Sequence, residues 1–135
     1  MSESDRIFGI KKKFLREKDY NGLREFLDEA YGVGTVRRHV AECQVMWEEG
    51  RRDEAIDEIV YKLRGDSYSV MHIILASEYA LKLRRLDVAD FLEFSFKSKF
   101  LEKSSILAAK FVYRELNGIE SSEDMKDAAR TLLMP

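Results

Sequence analysis

Proline is all but missing from this chain: the one residue, Pro135, ends it. Without internal proline no segment carries a built-in helix break, so helix can run nearly end to end. Cysteine is as scarce. Cys43 stands alone, which excludes an internal disulfide and leads us to expect a reducing, cytoplasmic setting. Amide side chains are few, with Gln44, Asn21 and Asn117 the whole complement, a thermophile-leaning composition. No run approaches the about 18 apolar residues of a membrane span. Met1, Ser2, Glu3, Ser4 and Asp5 lack the basic start and apolar core of a signal peptide. A soluble, intracellular chain with no membrane partner is therefore expected. Neither sign of charge dominates: 23 Lys and Arg face 25 Asp and Glu, for a formal net charge of −2. That balance argues against a dedicated duplex-DNA binder, which normally carries a basic domain, though a local basic stripe stays open.

What is present is enough for a core. The 135 residues are 45% hydrophobic and 36% charged, which predicts a globular domain over 1–135. Helical periodicity recurs throughout. Ile7, Ile10, Phe14 and Leu15 make one stripe over Glu3 to Glu17, and Leu23, Phe26, Leu27 and Ala30 make the next. Thr35 is the expected N-cap of a third helix carrying Val36, Val40, Cys43, Met46 and Trp47. A fourth starts near Asp53, a fifth runs from about Ser69 to Arg85, and a sixth from Asp87 to about Lys99. A seventh covers about Glu102 to Leu116. Ser121 to Asp124 reads as a capping box opening an eighth. No segment has strand periodicity, so the fold class is all-α.

The turns repeat. Lys18-Asp19-Tyr20-Asn21-Gly22, Gly50-Arg51-Arg52-Asp53-Glu54, Arg84-Arg85-Leu86-Asp87 and Asn117-Gly118-Ile119-Glu120 mark a period of roughly 32 to 35 residues. Four helix–turn–helix hairpins follow, with units 3–34, 35–66, 67–100 and 101–135, stacked as an α-solenoid or closed into a compact bundle. The segment from Trp47 through Gly50 and Ala55 to Ile59 resembles the middle of a tetratricopeptide (TPR) repeat, where a glycine ends the first helix and an alanine sits at the crossing. Ile7, Ile10, Phe14, Tyr20, Leu23, Leu27 and Ala30 are similar in the first unit, and Arg85 to Ala89 in the third. The pattern departs where Lys11 replaces a small residue, where internal turns lack proline, and where the fourth unit lacks the crossing alanine. The resemblance implies a concave groove, lined by odd-numbered helices, that binds a protein or peptide. In that reading Arg37, Val40, Gln44, Trp47, Met71, Ile74 and Glu78 line it, with Arg37 as a carboxylate partner.

Other residues invite chemistry. His39 and Cys43, four apart, share a helix face and would make a thiolate–imidazole pair or half a zinc site. Neither has a third ligand at a family-like spacing, so a buried cysteine beside a histidine is the preferred reading, with no metal and no cofactor. His72 reads as structural. The row Asp53, Glu54, Asp57 and Glu58 suits a solvated helix start better than an acid–base site. Phe91, Leu92, Phe94 and Phe96 spread too far around one helix for a single buried stripe, which predicts a central helix or an interface through Phe91, Phe94, Phe96 and Phe100, including a homodimer. Leu132, Leu133 and Met134 are a second such strip. Basic clusters at Lys11, Lys12, Lys13 and Arg16, and at Lys82, Arg84 and Arg85, are dipole partners for helix ends or, in the alternative, phosphate contacts of a nucleic-acid-handling subunit. Arg38, Arg51, Arg52, Lys97, Lys99 and Lys103 add to the scatter of positive charge. No nucleophile, base and orienting group can be assembled from the sequence, so an enzyme is the least favoured class.

Overall fold

In a computed structural model the described residues, 2–96 and 103–134, form eight α-helices and no strand. In chain order these are α1 (Glu3–Glu17), α2 (Tyr20–Tyr31), α3 (Val36–Glu48), α4 (Arg52–Leu63), α5 (Val70–Leu83), α6 (Leu86–Phe96), α7 (Ser104–Leu116) and α8 (Glu123–Leu132). The all-α expectation holds. The expected run of α6 toward Lys99, and with it Lys97 and Phe100, lies outside the described residues.

Side chains at the helix starts explain the boundaries. Ser2, Asp19, Thr35 and Ser122 each accept a hydrogen bond from the amide three residues on, satisfying one of the donors a helix start leaves open. The capping box expected at Ser121–Asp124 is only half there. Ser122 Oγ accepts from the Met125 amide at 3.3 Å, and Met125 has no carboxylate to return the bond. The return bond occurs instead at α5, where the Ser69 amide donates to His72 Nδ1 at 3.0 Å. His72 is fully buried, and this bond fixes its Nδ1 as an acceptor.

The chain divides into two compact units, Met1–Glu58 and Ile59–Pro135. In the first, Leu23, Leu27, Ala41 and Val45 form the centre, with Phe14, Leu15, Tyr20, Phe26 and Tyr31 packed around them. The Phe14 and Phe26 rings lie 6.1 Å apart. The Tyr20 hydroxyl donates to the Glu48 carbonyl at 3.1 Å, tying α2 to the end of α3. Truncating a buried leucine such as Leu23 or Leu27 would cost about 2–5 kcal/mol, since a filled core collapses only partly.

In the second unit α7 packs against α5, α6 and α8. Ala108 and Ala109 on α7, Ala89 on α6 and Ala129 on α8 are buried. Small side chains of this kind let backbones approach closely. Leu92, Ile106 and Val112 fill the space around them. Lys110, on α7, is nearly buried and reaches Glu93 of α6 at 3.5 Å, so its charge enters the interior already matched.

Candidate functional site

Three groups of residues carry the chemistry of this chain, and the structure treats them differently. The first grows from the spacing of four on α3. Cys43 Sγ lies 3.9 Å from His39 Nδ1, and the far ring nitrogen, Nε2, lies 2.9 Å from Glu58 Oε1 on α4. Thiol, imidazole and carboxylate thus stand in a row. Glu58 was invisible as a partner in the sequence, where it reads as one of four acids on a helix start.

The row has the outline of a nucleophile–base–orienter set, but the environment of its sulfur opposes that use. Cys43 is fully buried. Burial, reinforced by the negative charges of Glu58 and Glu42, pushes the thiol up to about 12. At neutral pH only about one molecule in 10⁵ would carry the thiolate that attacks or binds metal. The geometry therefore describes a protonated thiol set into the core beside a partly exposed imidazole–carboxylate pair. Among the described residues, no three His, Cys, Asp or Glu side chains converge as metal ligands.

The second group is a chain of ion pairs that sequence reading missed. Arg24 on α2 holds two carboxylates at once, with Nε 3.0 Å from Glu42 Oε2 and the two terminal nitrogens 2.8 and 2.6 Å from Glu49. Arg38 adds a bond to Asp28 at 2.7 Å and a pair with Glu42 at 3.1 Å. Arg51 joins Glu49 to Glu54. Hydrogen bonds from Arg24 hold the Glu49 carboxyl below the usual carboxylate range, and the same bonds raise Arg24 above its own. Arg38 keeps one buried terminal nitrogen without a protein partner. Long-range partners such as these, 18 and 25 residues apart, leave no local signal.

The third group is the predicted partner surface, which the structure divides. Val40 and Trp47 are buried. They share a stripe with Cys43, at i, i+3 and i+7, so the face expected to meet a partner is the face α3 turns inward. Arg52 lies over the Trp47 ring at 4.7 Å. Gln44 is half-buried, and Arg37 is exposed, its guanidinium stacked 4.0 Å above the Tyr31 ring. On α5 the reading fares differently. Met71 is 43% exposed and Ile74 and Glu78 are partly exposed, following one another at i, i+3 and i+7. Val70 beside them is 52% exposed.

The α6 aromatics also part company. Phe96 is buried and meets Tyr68 edge-on at 6.1 Å, and Phe91 is half-buried beneath the Arg64 guanidinium. Phe94 is 67% exposed and meets Tyr113 edge-on at 6.4 Å. On α8 the strip splits likewise: Leu133 is buried and Met134 exposed. Of the basic residues, Lys82 pairs with Glu78 at 3.6 Å and Arg85 with Asp87 at 2.9 Å, while Arg84 is an exposed left-handed C-cap. Lys12, Lys13 and Arg16 are exposed on α1 and Lys11 is partly so.

No described helix is long and apolar enough to cross a membrane. Comparison with family models, with curated proteins and with solved structures returns no match.

Proposed function

We propose that this chain is a non-enzymatic interaction module, a TPR-like adaptor that holds a partner protein or peptide on a helix face in the cytoplasm. The observation that carries the reading is the outward side of α5, where Val70, Met71 and Ile74 remain accessible on a highly apolar helix. Exposed aliphatic side chains in a row are costly to keep in water, and a methionine among them adapts to varied partners. Glu78, paired to Lys82, bounds the strip with charge that would set orientation. The protonated, buried Cys43 supports the non-enzymatic side of the reading, since it leaves the thiol–imidazole row without a working nucleophile. A homodimer through the same strip is the simplest variant.

The test is affinity capture from native lysate after nuclease treatment, comparing the natural chain with a Met71→Glu, Ile74→Glu variant. We expect a discrete protein retained by the natural chain and lost with the variant, while circular dichroism shows both folded. Retention of the same partner by the variant would remove α5 from the reading. Capture of no protein at all by the natural chain would overturn the adaptor itself.

A further inference from the structure

Positive charge is distributed unevenly in its pairing. Among the described residues, Arg24, Arg38, Lys110 and Lys126 each sit on a carboxylate, and Arg37 and Arg52 lie over aromatic rings. Helix α1 differs. Lys11, Lys13, Arg16 and the C-cap Lys18 make no ion pair among the described residues. The one ion pair on α1, Arg6 with Glu3, lies a turn or more before them. Over Lys11 to Asp19 five clustered cations, counting Lys12, stand against two acids, Glu17 and Asp19. In a chain of net charge −2 such a cluster repels itself and draws an external anion.

An aromatic ring stands in the same row. Phe8 is 61% exposed, and the Lys12 ammonium lies 5.0 Å from its centroid. Phe8, Lys12 and Arg16 follow at i, i+4 and i+8, one above the other at steps of about 6 Å along the axis. The helix has its own inward stripe, with Ile7 buried and Phe14 and Leu15 packed on the core of the first unit. Phe8 is thus an aromatic left outside a core already formed.

We propose that the outward face of α1 binds single-stranded nucleic acid, with Lys12, Lys13 and Arg16 on phosphates and Phe8 stacking on a base. The chemistry selects this polyanion over its rivals. An anionic membrane would need an apolar helix face to insert, and α1 turns that face inward, leaving Phe8 alone. A duplex offers phosphates, but its bases are stacked away from Phe8. A single strand offers both a charged backbone and open base faces, the combination that basic grooves with aromatic platforms use.

The full chain would be titrated by fluorescence anisotropy against a labelled oligouridine of roughly 15 nucleotides, near the upper end of the roughly 4–16 nucleotides that one compact domain covers. Affinity should fall with salt by a slope of about −0.7 per phosphate neutralised. A Lys12→Gln, Lys13→Gln, Arg16→Gln variant should bind at least about tenfold more weakly at low salt, with the slope reduced by about 2. Phe8→Ala should weaken binding about fivefold or more while leaving the slope unchanged, which separates stacking from charge. Lys126→Gln with Arg130→Gln, cations already paired on α8, should change nothing. The proposal is overturned if the oligonucleotide does not bind, if the triple variant binds as the natural chain does, or if a duplex, phosphatidylserine vesicles or polyglutamate bind equally well. The α5 variant Met71→Glu, Ile74→Glu should bind the oligonucleotide normally, so this surface and the adaptor strip fail or stand separately.

Discussion

At Gly22 the first turn of α2 closes against the helix before it. The Gly22 amide donates to Asp19 Oδ1 at 3.0 Å, and a Cβ on residue 22 would overlap that carboxylate and come within 2.9 Å of the Phe14 ring. The backbone there is helical, so glycine is required for room and not for an unusual torsion. This reverses the sequence reading, in which Asn21-Gly22 belonged to a break between helices. Alanine would gain up to about 1 kcal/mol of helix propensity. It would lose the Asp19 cap, about 1 kcal/mol, and strain Phe14 by about 1–3 kcal/mol more. Gly22→Ala should therefore destabilise the chain by about 1–3 kcal/mol in urea unfolding, against the usual gain for this substitution in a helix. An unchanged or raised midpoint would mean that Asp19 and Phe14 yield without cost.

Between elements, Arg24 joins α2 to two carboxylates of the next helix, Glu42 in the middle of α3 and Glu49 at its C-cap. Exposed pairs contribute about 0–1 kcal/mol, and breaking a fully buried pair costs about 3–5. With Arg24 23% exposed and Glu49 18% exposed, Arg24→Gln should fall between, at about 2 kcal/mol. Much of that loss comes from leaving Glu42 and Glu49 together without a cation, so adding Glu49→Gln should recover part of it. Additive losses in the double variant would show that the two side chains do not act on each other. The network also shows what sequence can and cannot carry. Helix number was legible, and the start of α3 with it, because caps are local: Thr35 stands next to the turn it satisfies. The thiol–imidazole pair was legible because four residues on a helix make neighbours. Its third member, Glu58, and the Arg24 network were not, because they depend on how one helix lies on another. Val40 and Trp47 went astray for a related reason. Periodicity says that a stripe is apolar, and only packing says whether core or partner covers it.

For the whole molecule, the response to pH follows from groups whose protons are held differently in the folded and unfolded chain. On the acid side Glu49 is held low by Arg24 and Asp87 by Arg85. A depressed carboxyl contributes stability that is present above its unfolded value and lost as pH falls through the folded one. Stability should therefore decline below the ordinary carboxylate range, about pH 4. On the alkaline side the sign reverses at Cys43. The folded thiol keeps its proton to about 12, against an ordinary value of 9.0, because it is buried near two acids. Between those values the unfolded chain has released a proton that the folded chain still holds, so folding loses about 1.4 kcal/mol per pH unit. Cys43→Ala removes that one proton and nothing else that titrates. The difference in unfolding free energy between the natural chain and the variant, measured in urea, should stay level up to about pH 9. Above it the difference should shift against the natural chain by about 1.4 kcal/mol per unit. Parallel curves through pH 11 would show that the thiol reaches solvent in the folded state, and would return the row of Cys43, His39 and Glu58 to consideration as a reactive site.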